Sequence, residues 1–167
     1  MARPPRSTAL VLVAALILAG LTACTPATEG ITGITVDADG QPVAVLAWCA
    51  SRPPGGIAID DGRSDRPSAG PSWPGQDFPV PPRAVSPETV PLIGFPPPEP
   101  PPGVTSFVLF AAADDNSFNT RPVRFQPSEL AALRPEQVLI TEILEGGMER
   151  NAVVTREELA RRAADEC

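Results

Sequence analysis

A chain of 167 residues, 43% of them hydrophobic, is long enough for one domain with a single core and too short for two lobes around a cleft. It contains no His and no Lys, which removes Ser-His-Asp and Cys-His nucleophiles, His-based metal sites, Schiff-base lysines and the P-loop lysine. The formal charge is −7, with acids spread from Glu29 to Glu166, so nucleic-acid phosphates and anionic headgroups are not expected partners.

The chain opens with Arg3 and Arg6, followed by the uncharged run Ala9–Leu21. As a helix that run spans about 20 Å, short of the ~30 Å hydrocarbon core of a bilayer. A charged start, a short apolar core and small residues predict a secretory signal peptide over residues 1–23. Leu21-Thr22-Ala23-Cys24 then resembles the bacterial lipobox. That resemblance implies cleavage before Cys24, a diacylglycerol on its sulfur and palmitate-type acylation of the new N-terminus. Each buried methylene contributes about 0.8 kcal/mol, so two long chains anchor stably where one would not. Removing Arg3 and Arg6 with the leader would take the charge from −7 to −9. Residues 24–30 read as the lipidated Cys and a polar tether.

Residues 31–65 form the first expected β segment. Ile31–Cys49, "ITGITVDADGQPVAVLAWC", predicts a hairpin whose turn uses an Asp side chain and a positive-φ Gly40. Val43–Trp48 is continuously apolar and predicts a strand buried on both faces. "DADG" is not a calcium loop, because counting from Asp37 puts Trp48 where an EF-hand needs Glu. Gly56–Asp60 is a third strand candidate.

Residues 66–102 carry fourteen prolines. Such a segment is expected to be extended or irregular and to contribute little to a ladder, as a partly disordered insertion in the sheet. Trp73, Phe78 and Phe95 argue that some of it returns to the core. Residues 103–167 complete the domain: a strand in Val104–Ala112, a turn at Asp114–Ser117, and a strand in Thr120–Phe125 pushed toward an edge by Pro122. A short helix from Pro127 or Ser128, a last strand in Val138–Leu144 and a turn at "EGGM" follow. Finally "TREELARRAADEC" predicts a helix, with Thr155 and Glu158 as a capping box and Leu159 and Ala163 on one thin apolar face.

With Cys24 acylated, Cys49 and Cys167 remain, and an even number outside the cytoplasm predicts one disulfide. Bridging them closes a loop of roughly 120 residues, for which chain entropy gives about 5 kcal/mol. The lipobox, "DADGQPVAVLAWC", the G-x-x-x-D strand, "DDNSFNTRPVRFQPSELAALRPEQV" and the terminal Cys together resemble small uncharacterised actinobacterial lipoproteins. The resemblance implies a mainly β, immunoglobulin-like antiparallel sandwich, with a Pro-rich insertion and a C-terminal helix. It carries no substrate.

The acid–base groups left are carboxylates, adjacent at Asp60-Asp61, Asp114-Asp115, Glu157-Glu158 and Asp165-Glu166. Neighbours on a strand face opposite ways, so adjacency makes no dyad. A glycosidase needs two carboxyls about 5–10 Å apart in an aromatic cleft, and eight aromatics must here serve the core as well. Asp114, Asp115 and Asn116 read as turn formers rather than a Ca²⁺ loop. No catalytic residue, metal ligand or cofactor is expected. The expected function is a noncatalytic binding or structural module of the envelope, lipid-anchored on the outer face of the cell membrane, with an envelope protein as partner. The alternative is a small carboxylate-based hydrolase or an accessory subunit of one.

Overall fold

In a computed structural model the chain is described over residues 25–62, 73–97 and 103–166. The expected leader, Cys24 and Cys167 lie outside these residues. The protein is mainly β, with ten strands and two helices among the described residues.

Strands β1 (Ala27–Val36) and β2 (Pro42–Trp48) pair antiparallel from Gly30↔Trp48 to Val36↔Pro42. The Asp37 carboxylate accepts the N–H groups of Asp39 and Gln41 at 2.9 and 2.8 Å, and Gly40 takes φ 77°. The expected hairpin and its turn chemistry are both present. β1 starts at Ala27, so most of the expected tether is strand.

The remaining elements are β3 (Gly56–Asp61), β4 (Gln76–Pro79), β5 (Glu88–Pro91), β6 (Phe107–Ala112), β7 (Phe118–Arg121), β8 (Val123–Phe125), α1 (Pro127–Ala132), β9 (Val138–Ile143), β10 (Glu149–Val154) and α2 (Arg156–Asp165). β1 organises them. Along one side it pairs with β2, which in turn pairs with β5. Along the other side its first half runs parallel to β7, and its second half meets β9 at Ile34↔Leu139. β10 extends β9, while β7 leads through β6 and β3 to β4. The strands form one hydrogen-bonded network that folds back on itself around a core.

Alternation along β1 and β2 serves two cores. Ile34, Val36, Ala44, Leu46 and Trp48 face Ile57, Ile59, Phe107, Leu109, Val123 and Phe125 in the main core. Ile31, Val45 and Ala47 face the other way, with Val138 and Ile140, and α2 covers them with Leu159 and Ala163. β2 is therefore buried on both faces, as its unbroken apolar run requires.

Several expectations need correction. The Pro-rich segment does build ladder: the stretches between its prolines form β4 on β3 and β5 on β2, and Phe78, Val90, Leu92 and Phe95 are buried. β4 and β5 each have a single ladder partner, and on such edge strands Pro79 and Pro91, their last residues, leave no inner ladder short of a donor. Pro122 splits the expected strand in two: β7 before it lies between β1 and β6, while β8 after it pairs with β6 alone. Val138–Ile143 is not the last strand, since the Leu144–Met148 turn returns the chain as β10.

Both helices start where expected, α1 at Pro127 and α2 after a Thr155 cap, but one of the expected capping contacts differs. At α2, Thr155 Oγ1 accepts the Glu158 N–H at 3.1 Å, but the Glu158 carboxylate turns to Arg161 and Arg162. The reciprocal capping box belongs to α1, where Gln126 caps the first turn and the Glu129 carboxylate accepts the Gln126 N–H at 2.8 Å.

Candidate functional site

The folded network leaves an apolar cleft of about 420 Å³ at the end of the main core. One wall is the β1–β2 turn, with Gly40, Gln41 and Pro42; the facing wall is α1 with Leu130, Ala131 and Leu133. The loop after β5 contributes Gly94, Phe95 and Pro96. Phe107 and Phe125 complete the floor.

The floor is a set of aromatic rings packed on one another. Phe107 and Phe125 are directly paired across β6 and β8, with ring centroids 5.9 Å apart. Phe95 meets them edge-on at 5.0 and 6.0 Å, a geometry in which the positive edge of one ring faces the negative face of another. Trp73 adds a further edge contact to Phe107 at 5.5 Å. Among the described residues that line the cleft none is ionisable, and Gln41 supplies the one side-chain amide. Such a surface selects uncharged, apolar matter.

A second cleft, of about 430 Å³, is polar and internally satisfied. Asn151 donates to the Arg124 carbonyl and to Glu129, both at 2.8 Å, and accepts from Thr141 Oγ1 at 3.0 Å. Thr141 Oγ1 also accepts the Arg124 N–H at 2.9 Å. This network ties β8, β9, β10 and α1 together.

The expected carboxylate pairs do not converge. Asp60 and Asp61 point to opposite faces of β3, Asp61 inward and buried. Burial raises the Asp60 pKa, and Asp77 and Asp61 raise it further. Asp61 Oδ2 and Gln76 Oε1 are buried without hydrogen-bond partners. Asp115 binds Arg52, with help from Ser117, and these bonds hold its carboxyl far below the usual range. Asn116 beside it takes φ 56°, so the segment is a turn. Glu142 sits between Arg150 and Arg162, whose hydrogen bonds lower its pKa. Glu166 pairs with Arg121, yet burial raises its pKa on balance. Among the described residues no three acids or cysteines gather in a metal-holding arrangement. No helix among them is long and apolar enough to cross a membrane.

Of the expected site residues, Cys24 and Cys167 lie outside the described residues. Cys49 follows the last residue of β2, is exposed, and is disulfide-bonded. The cleft was missed at the sequence level because its walls come from residues 40–42, 94–96 and 130–133, with a floor from two further strands. The available signal was Phe95 inside the Pro-rich segment, with Phe107 and Phe125 in the strands that follow it. Searches of family models, of curated proteins and of solved structures find no match to this chain.

Proposed function

We propose that the protein is a lipid-anchored extracytoplasmic lipoprotein of the cell envelope: a noncatalytic module that binds an uncharged, apolar ligand or side chain. The observation that supports the binding reading is the ring-floored cleft, whose described lining residues include no ionisable group. The address rests on the leader pattern and on Leu21-Thr22-Ala23-Cys24. An anchor on Cys24 is three residues before β1 begins at Ala27, close enough to hold the domain near the membrane surface.

The immunoglobulin-like form of the sandwich belongs to the same proposal. A mainly β, largely antiparallel strand network around a main core supports it, whereas the parallel β1–β7 ladder and the helix-covered second core are additions to that plan.

The hydrolase reading has one observation in its favour. Asp60 is a carboxyl with a raised pKa, near Asp77 and Asp61, as a general acid requires. None of the clefts described above includes these residues.

The direct test is binding of a neutral naphthylamine dye, read by its fluorescence. Wild-type protein is expected to bind it saturably, and Leu130→Glu to lose that binding by about tenfold or more, because an unpaired carboxylate in an apolar site is costly. Equal binding by both proteins would remove the cleft from the proposal.

A further inference from the structure

We propose that the disulfide partner of Cys49 is Cys167, and that this bond fastens the end of α2 over the second core. Cys49 is bonded, and the chain has two other cysteines, Cys24 and Cys167. Bridged residues need Cα atoms within about 4.4–6.8 Å, so the question is which chain end reaches the end of β2.

The described residues on either side answer it. α2 lies across β1 and β2, and Glu166 at its end pairs with Arg121. Arg121 is in register with Ile31, and Ile31 with Ala47, two residues before Cys49. Arg162, one turn earlier, is tied to Glu142 of β9. These ion pairs hold the helix across the β7 and β9 side of β1, while Leu159 and Ala163 pack with Val45 and Ala47 of β2. The last turn of α2 therefore lies over the Trp48 end of β2, and Cys167 is the next residue after Glu166.

The N-terminus leads elsewhere. Gly30 is the last β1 residue paired with β2, which sets Glu29 level with Cys49. From there β1 turns to β7, with Ala27 opposite Phe118. Cys24 is five residues beyond Glu29, about 17 Å of extended chain.

In forming the bond both thiols lose their protons, and the two electrons pass to a disulfide-bearing oxidant, which leaves as two thiols. The pairing is independent of the anchor, although it leaves the Cys24 sulfur available for acylation.

The test is nonreducing peptide mapping of the full-length protein extracted from membranes, digested with a protease that cuts before Asp. Cuts at Asp37, Asp39, Asp60 and Asp165 put the three cysteines on separate peptides. The expected product joins the Cys49 peptide to the C-terminal tripeptide. Joining to the Cys24 peptide, to a second copy of the Cys49 peptide, or recovery of Cys49 as an alkylated thiol would each overturn the pairing. Hydrogen exchange then reads the fastening. A dithiol reductant is expected to speed exchange in the last turn of α2 by about tenfold or more, with β2 and β6 unchanged. Unchanged exchange there would refute the fastening even with the pairing intact. The acyl state of Cys24 is read from its own peptide, so failure of the anchor and failure of this bond are distinguishable.

Discussion

Thr32 Oγ1 and Thr120 Oγ1 lie 2.5 Å apart, both buried, joining β1 to β7 just beyond the parallel ladder. Thr120 also accepts the Ala111 N–H at 2.9 Å, so it serves three strands while Thr32 serves two. Thr120→Val leaves that N–H and the Thr32 hydroxyl buried without a partner, at a cost of about 1–3 kcal/mol. Thr32→Val leaves Thr120 on Ala111 and is expected to cost about 1 kcal/mol or less. Urea unfolding midpoints rank the two, and the reverse order would contradict this assignment of the junction.

Gly30 takes φ 124°, and a Cβ there would strike the Ala47 carbonyl and the Trp48 backbone. Gly40 also has positive φ but opens onto free space. Gly30→Ala is expected to destabilise by about 3 kcal/mol or more, adding collision to conformational strain, against about 1 kcal/mol for Gly40→Ala. Thermal unfolding of the two variants separates the contributions.

Leu159 is fully buried where α2 meets Val45, Val138 and Ile140. Leu159→Ala is expected to cost about 2–5 kcal/mol, while the exposed Glu157→Ala stays within about 0.5 kcal/mol of wild type. A Leu159→Ala loss below about 1 kcal/mol in chemical denaturation would show that the second core contributes little.

Asp60 is more basic in the folded state than in the unfolded chain, because burial and the neighbouring Asp77 and Asp61 disfavour its charge. A raised carboxyl supports the fold below its unfolded pKa near 3.9, and that support is lost as pH rises through the folded value. Asp60→Asn should therefore stabilise at pH 7, and the gain should shrink toward pH 3. Allowing for its partial exposure and solvent screening, the gain in Tm is about 1–2 °C. A gain that grows on acidification would reverse the argument.

Much of this architecture was legible wherever a local signal coincided with the tertiary outcome. Asp37 and Gly40 define a turn by their own chemistry, and Val43–Trp48 has no polar residue to leave a face exposed. β10 was not legible because its inward residues, Ala152 and Val154, are small and only partly covered, while Val153 is exposed. β4 and β5 are strands because β3 and β2 present open edges to them, and no propensity in "QDFP" or "ETVP" announces it. The start of α1 was legible from Pro127, whereas its cap, Gln126 supported by Glu129 three residues on, was not, because Gln is an uncommon cap. The cleft needed the complete fold, since no two of its walls are neighbours in sequence.

The most direct measurement is the mass of the N-terminal peptide of mature protein recovered from membranes. A peptide beginning at Cys24 and carrying a diacylglyceryl thioether is the predicted result. A peptide that begins upstream of Cys24, or that bears an unmodified sulfhydryl there, would contradict the account.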